Sequence, residues 1–196
     1  MRAVLLTAVL AATTVLTAGC GAAEPAGTGD ARPAMAGMSD QEMADMDMGA
    51  AARPSDSATM VCGREIRGAV RRTLRLRELP AAPTSTWRGT TRSYTCRYRV
   101  PDGALELSVQ DATGAGPGHA YFRRLRASTP GAVRLRGLEG LGLPGFETPD
   151  SVAFLKDGKT LVVRTEDLAG SSLPRGFDRQ EVAYSLASAV VACWAE

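Results

Sequence analysis

The run Tyr94-Thr95-Cys96-Arg97-Tyr98-Arg99-Val100-Pro101-Asp102-Gly103-Ala104-Leu105-Glu106-Leu107-Ser108-Val109 decides how this chain folds. Tyr94, Cys96, Tyr98 and Val100 alternate with Thr95, Arg97 and Arg99, so one side of an extended segment is apolar and the other is wet. Pro101-Asp102-Gly103 reverses the chain, after which Leu105, Leu107 and Val109 alternate with Glu106 and Ser108. The spacing predicts an antiparallel hairpin with one buried face, and it sets Glu106 across from Arg97 or Arg99 on the wet side.

Outward from this hairpin the signals alternate in type. Ile66, Ala69, Val70 and Leu74 fall at helical spacing over 63–76, with Arg64, Arg67, Arg71, Arg72 and Arg75 on the remaining sides as a solvated or lipid-facing surface. Pro80 and Pro83 end that helix. Downstream, Tyr121, Phe122 and Leu125 give the apolar side of a helix over 118–128, and Arg123, Arg124 and Arg126 its exposed side. Ala132–Arg136 reads as a short strand. Ser151–Leu155 and Thr160–Thr165 flank Lys156-Asp157-Gly158-Lys159, whose Asp-Gly is the strongest turn signal in the chain. Asp178-x-x-Glu181 is an acidic capping box opening a last helix over 179–194, lined by Val182, Leu186, Ala189, Val190 and Cys193. The order helix, hairpin, helix, hairpin, helix predicts an α+β domain over residues 61–196, an antiparallel sheet of four to five strands with three helices packed on one face. A domain of this length buries roughly two-thirds of its unfolded surface.

Residues 20–60 differ sharply in composition. From Gly21 to Thr59 no aliphatic side chain larger than alanine occurs apart from methionine, so the segment lacks the surface to order itself and is expected to be a disordered tail. Seven acids against two arginines give residues 21–60 a net charge of −5, whereas twenty basic and fourteen acidic residues give residues 61–196 a net of +6. Within the tail Met35, Met38, Met43, Met46 and Met48 repeat as M-x-x-M and M-x-x-M-x-M with Asp45 and Asp47 between them. Soft thioethers in this spacing suit Cu(I), and they resemble the methionine motifs of bacterial periplasmic copper proteins, without the interleaved histidines. A plainer reading also fits: Ser39-x-x-Glu42 is a capping box, and the methionines then form a sticky helical face.

The start of the chain carries an address. Met1-Arg2 is positive, Ala3–Val15 is apolar or hydroxylated and too short to span a bilayer, and Leu16-Thr17-Ala18-Gly19-Cys20 closes the run with small residues before a cysteine. This stretch resembles the lipobox of bacterial lipoproteins, with Thr17 at a position where an aliphatic residue is usual. The resemblance implies that residues 1–19 are removed as a signal peptide and that Cys20 is lipidated, anchoring the protein to the outer side of the cell membrane. Paired acyl chains anchor stably where one chain does not. Nucleic acid is then an unexpected partner, and the basic domain suits anionic lipid or cell-wall polymer.

In that oxidising compartment Cys62, Cys96 and Cys193 are disulfide candidates. Cys62–Cys96 is favoured because it ties the first helix to the first strand, leaving Cys193 as a buried thiol on the last helix. Cys62–Cys193, which would join the two ends of the domain, is the alternative. With no C-x-x-C and a single histidine, the cysteines do not form a metal site.

Catalytic motifs are missing from the sequence. No nucleophile elbow, H-E-x-x-H or P-loop occurs, and His119 has no serine nucleophile to serve. Gly140-x-Gly142-x-x-Gly145 matches the dinucleotide-binding pattern as text, but Pro144 interrupts it and no long helix follows, so it reads as a glycine-rich loop. Cys62-Gly63, Trp87, Tyr94–Tyr98, Gly137–Gly142, Lys156–Lys159 and Ala192–Trp194, in that order, are similar to a group of small actinobacterial lipoproteins with extracytoplasmic sensor-type domains. That resemblance implies a fold and a location and little chemistry. The sequence is therefore expected to encode a lipid-anchored, non-enzymatic binding or accessory protein of the cell envelope, its partner a protein, polymer or small ligand. Copper(I) binding by the methionine-rich tail is the alternative.

Overall fold

The structure is a computed structural model that describes residues 53–112, 115–135 and 143–194. In chain order its strands are β1 (Thr84–Arg88), β2 (Ser93–Val100), β3 (Gly103–Asp111), β4 (Val133–Arg134), β5 (Gly145–Thr148), β6 (Ser151–Lys156) and β7 (Lys159–Arg164). The helices are α1 (Asp56–Thr59), α2 (Arg64–Thr73), α3 (Ala115–Ser128) and α4 (Arg179–Cys193), with single 3-10 turns at Met60–Cys62 and Gly170–Ser172. The strands form one antiparallel sheet in the order β1-β2-β3-β7-β6-β5-β4.

Both expected hairpins form. β2 and β3 pair from Ser93↔Gln110 to Val100↔Gly103, with Cys96, Tyr98, Leu105, Leu107 and Val109 buried and Arg97 and Arg99 exposed. β6 and β7 meet across the two-residue loop Asp157-Gly158, where φ is 50° and 75°, the doubly left-handed conformation that favours Asp-Gly. β3 and β7 join the hairpins side by side, so Leu107 faces Val163 and Val109 faces Leu161 in one continuous apolar layer.

The sheet has seven strands, not four to five. β1 was unreadable because Thr-Ser-Thr-Trp-Arg has one apolar residue and lies exposed at the sheet edge, where alternation has nothing to record. β5 comes out of the glycine-rich stretch: Gly145 is its first residue, and a side chain there would press on Leu135 at 2.7 Å. β4 is shorter than expected, two residues paired to Glu147 and Phe146.

The helices also cover both faces of the sheet, which corrects the expectation of one covered face. β6 and β7 are apolar on both sides, with Val152, Ala153, Phe154 and Leu155 buried in succession and Leu161, Val162 and Val163 likewise. Such strands require a layer on each side. On one face α4 packs over β6 and β7, with α2 against α4, and Trp194 at the end of α4 meets Phe154 edge-on at 5.9 Å. On the other, α3 covers Phe146, Ala153, Leu155 and Val162 through Phe122, whose ring lies 5.5 Å from Phe146. The same face stays open over β1, β2 and the near half of β3, where the side chains are polar.

α3 approaches its hairpin closely. A Cβ on Gly118 would stand 2.1 Å from the carbonyl oxygen of Gly158, so helix backbone rests directly on turn backbone. α4 begins with the predicted capping box: Asp178 accepts from the Glu181 backbone N–H at 2.8 Å, and Glu181 accepts from that of Asp178 at 2.7 Å.

Candidate functional site

Two neighbouring ties hold the start of the domain to β2. Cys62 and Cys96 stand at disulfide distance, with Cα atoms 5.5 Å apart and a sequence separation of 34. Beside them the fully buried Tyr98 donates its hydroxyl to the Val61 carbonyl at 2.7 Å. Cys193 lies outside this pair, 9% exposed on α4. Both ties act on the turn Met60–Cys62, from which α2 is launched.

Burial, opposed by the nearby Arg67 charge and reinforced by Tyr94, pushes the Tyr98 phenol well above its ordinary range. A raised folded-state value contributes stability that is complete below about pH 10, the ordinary tyrosine value, and is lost as pH rises above it. There the unfolded chain binds fewer protons than the folded one, so the slope of stability on pH is negative. Stability is expected to fall by up to about 1.4 kcal/mol per pH unit above pH 10 from this group. In Tyr98→Phe that contribution should vanish, at a cost near neutrality of about 1 kcal/mol for the lost hydrogen bond. Urea unfolding from pH 8 to 11 checks both effects.

An open cleft of about 570 Å³ lies where α4 ends short of the sheet edge. α4 crosses β6 and β7, so its first turn stands beside β5 and β4 without covering them. Val133, Pro149 and Leu173 give the cleft apolar walls, and Glu147, Arg179 and Gln180 supply its polar groups. Pairing of Val133 with Glu147, and of Glu147 with Val152, puts these three side chains on the α4 side of the sheet. Val133 is 56% exposed there.

The positive features of the cleft already have partners within the protein. The Asp178 carboxylate caps the α4 N-terminus, and Arg179 donates from Nε and Nη2 to the Leu168 carbonyl at 2.9 and 2.6 Å. By contrast, among the described residues the half-buried Glu147 carboxylate has no hydrogen-bond or ion-pair partner, and neither does the Gln180 amide. The volume is that of a small-molecule site.

A second hollow of about 270 Å³ lies at the other end of α4, lined by Met60, Lys156, Lys159, Cys193 and Trp194 among others. Its groups are largely tied to each other. Lys156 Nζ donates to Asp157 at 2.6 Å and to the Trp194 carbonyl at 3.0 Å, and the Trp194 indole donates to the Ser57 carbonyl at 3.0 Å. The hydrogen bond from Lys156 holds the exposed Asp157 carboxyl below its ordinary range.

On the open face the charges pair differently from the expected hairpin contact. Glu106 sits opposite Arg97 in register, yet it accepts from Arg164 of β7 at 3.0 Å, while Arg97 reaches Asp167 at 2.6 Å. Sequence reasoning considered only the two strands of one hairpin, and the partner came from the strand beyond. Arg67 of α2 donates to the Pro80 carbonyl at 2.8 Å, so it is not part of a free arginine surface. His119 is exposed on the second turn of α3.

Cys20 and Met35, Met38, Met43, Met46 and Met48 lie outside the described residues, as do Gly140 and Gly142. Among the described residues no three histidine, cysteine or carboxylate side chains are grouped as for a metal ion, and no helix is long and apolar enough to cross a membrane. The cleft was missed at the sequence level because its walls come from β4, β5 and the approach to α4, and the first two gave no usable periodicity. Compared with protein-family models, with curated proteins and with solved structures, the chain has no match.

Proposed function

We propose that this chain is a lipid-anchored extracytoplasmic lipoprotein whose folded domain is a non-enzymatic binding module, with the cleft beside the α4 N-terminus as its ligand seat. The observation that carries the proposal is a conjunction. Leu16-Thr17-Ala18-Gly19-Cys20 has the form of a lipobox, and the domain after it brings Cys62 and Cys96 to disulfide distance, as suits an oxidising compartment. The cleft supports the second half of the proposal by its volume and by polar groups with no partner among the described residues. Acylation supplies the anchor, and the net positive domain is then drawn to anionic envelope surfaces.

Fractionating cells that express the chain tests the anchor. Wild-type protein should sediment with membranes and be released by detergent but not by high salt. Cys20→Ala should lose the acyl anchor and, where the leader is still cut, appear in the soluble extracytoplasmic fraction. Salt-extractable wild-type protein, or identical partitioning of the two chains, would contradict the proposal.

A further inference from the structure

We infer that the cleft between α4 and the β4–β5 edge takes an organic cation, a guanidinium or ammonium group carried on a short apolar body. This deepens the proposed ligand seat and rests on it, but it does not depend on the lipid anchor.

The argument is one of elimination among charges. An anion entering the cleft would look to the helix N-terminus and to Arg179, the groups that ordinarily receive anions. The helix N-terminus is already neutralised by the Asp178 carboxylate, which also lines the cleft, and Arg179, though still charged, has two of its nitrogens committed to the Leu168 carbonyl. What remains is the Glu147 carboxylate, half withdrawn from water and with no partner among the described residues. A carboxylate in that setting gains from a hydrogen-bonding cation and repels an anion. Gln180 lines the same cleft with an uncommitted amide oxygen, a second acceptor for a multiply donating group. Val133, Pro149 and Leu173 offer apolar surface for methylenes. A side chain of the arginine or lysine type, charged at the tip and apolar along its stem, has the matching pattern.

The test uses the full chain and four probes: Nα-acetyl-arginine amide, Nα-acetyl-lysine amide, the neutral isostere Nα-acetyl-citrulline amide, and the anion Nα-acetyl-glutamate. Dissociation constants are measured by calorimetric titration for wild type and for Glu147→Gln, with thermal melting as the control for folding. Acetyl-arginine amide or acetyl-lysine amide is expected to bind about tenfold or more tightly than the citrulline compound, and the difference should close in Glu147→Gln. Raising the salt concentration should weaken the cationic probes selectively. If the citrulline or glutamate compound binds as well as the cations, or if the cation preference persists in Glu147→Gln, the ligand class is wrong while the seat survives. If no probe binds, the ligand class and the seat fall together.

Discussion

Replacing Gly118 by alanine is expected to destabilise the domain by about 3 kcal/mol or more, enough to lower its melting temperature by roughly 10 °C or more. The reason is local and steric. A methyl group at this position would lie 2.1 Å from the Gly158 carbonyl oxygen and 2.6 Å from its Cα, both of them backbone atoms of a tight turn. Neither side can yield cheaply. Gly158 sits at a φ of 75°, fixed by the Asp-Gly loop between β6 and β7, and α3 is held by Phe122 against Phe146. Moving the helix away by an ångström or more would open the Phe122 cluster over Ala153, Leu155 and Val162. Gly116, two residues earlier in the same helix, provides the comparison, because a methyl group there meets nothing within 4 Å. Gly116→Ala should be neutral or stabilising by about 0.5–1 kcal/mol, since alanine restricts the unfolded chain and favours helix. Urea unfolding of the two variants separates the effects, and equal stability would mean that α3 does not rest on the turn.

Loss of the Cys62–Cys96 link is expected to cost about 3–4 kcal/mol, the loop-closure value for a separation of 34 residues. The link fixes the turn that launches α2, and without it Tyr98 is the remaining side-chain tie between that turn and β2. The double variant Cys62→Ala/Cys96→Ala should therefore unfold at lower urea than wild type, and a reducing agent should destabilise wild type while leaving the double variant unchanged. Peptide mapping without reduction should recover Cys62 and Cys96 in one linked fragment. A Cys62–Cys193 fragment would restore the alternative pairing and require α4 to sit differently over the sheet.

The sequence carried the α+β class, because two hairpins with clean alternation and three helical stretches are strong signals that depend on local pattern alone. It also carried the β6–β7 turn and the Asp178–Glu181 capping box, whose residue types meet specific backbone demands. What it did not carry lay at the sheet edges and between elements. β1 has too little apolar content to alternate, and β5 is four residues long in a stretch marked by glycine and proline. The second helical layer was signalled by runs such as Val152–Leu155, buried at every position. A strand buried at every position needs cover on both faces, but its pattern does not say which helix supplies it. The cleft depends on where α4 stops relative to β4 and β5, a distance that no local pattern encodes. Glu147 has no distinguishing context in the sequence, and its half-buried setting, without a partner among the described residues, makes it a candidate.

The central claim is that this polypeptide works outside the cytoplasmic membrane, fixed there through one sulfur atom. Intact-mass and N-terminal peptide measurement on protein extracted from membranes tests it most directly. The account predicts a chain that begins at Cys20, lacks residues 1–19, and carries the added mass of a thioether-linked diacylglycerol. An intact terminus at Met1 with an unmodified Cys20 would contradict it.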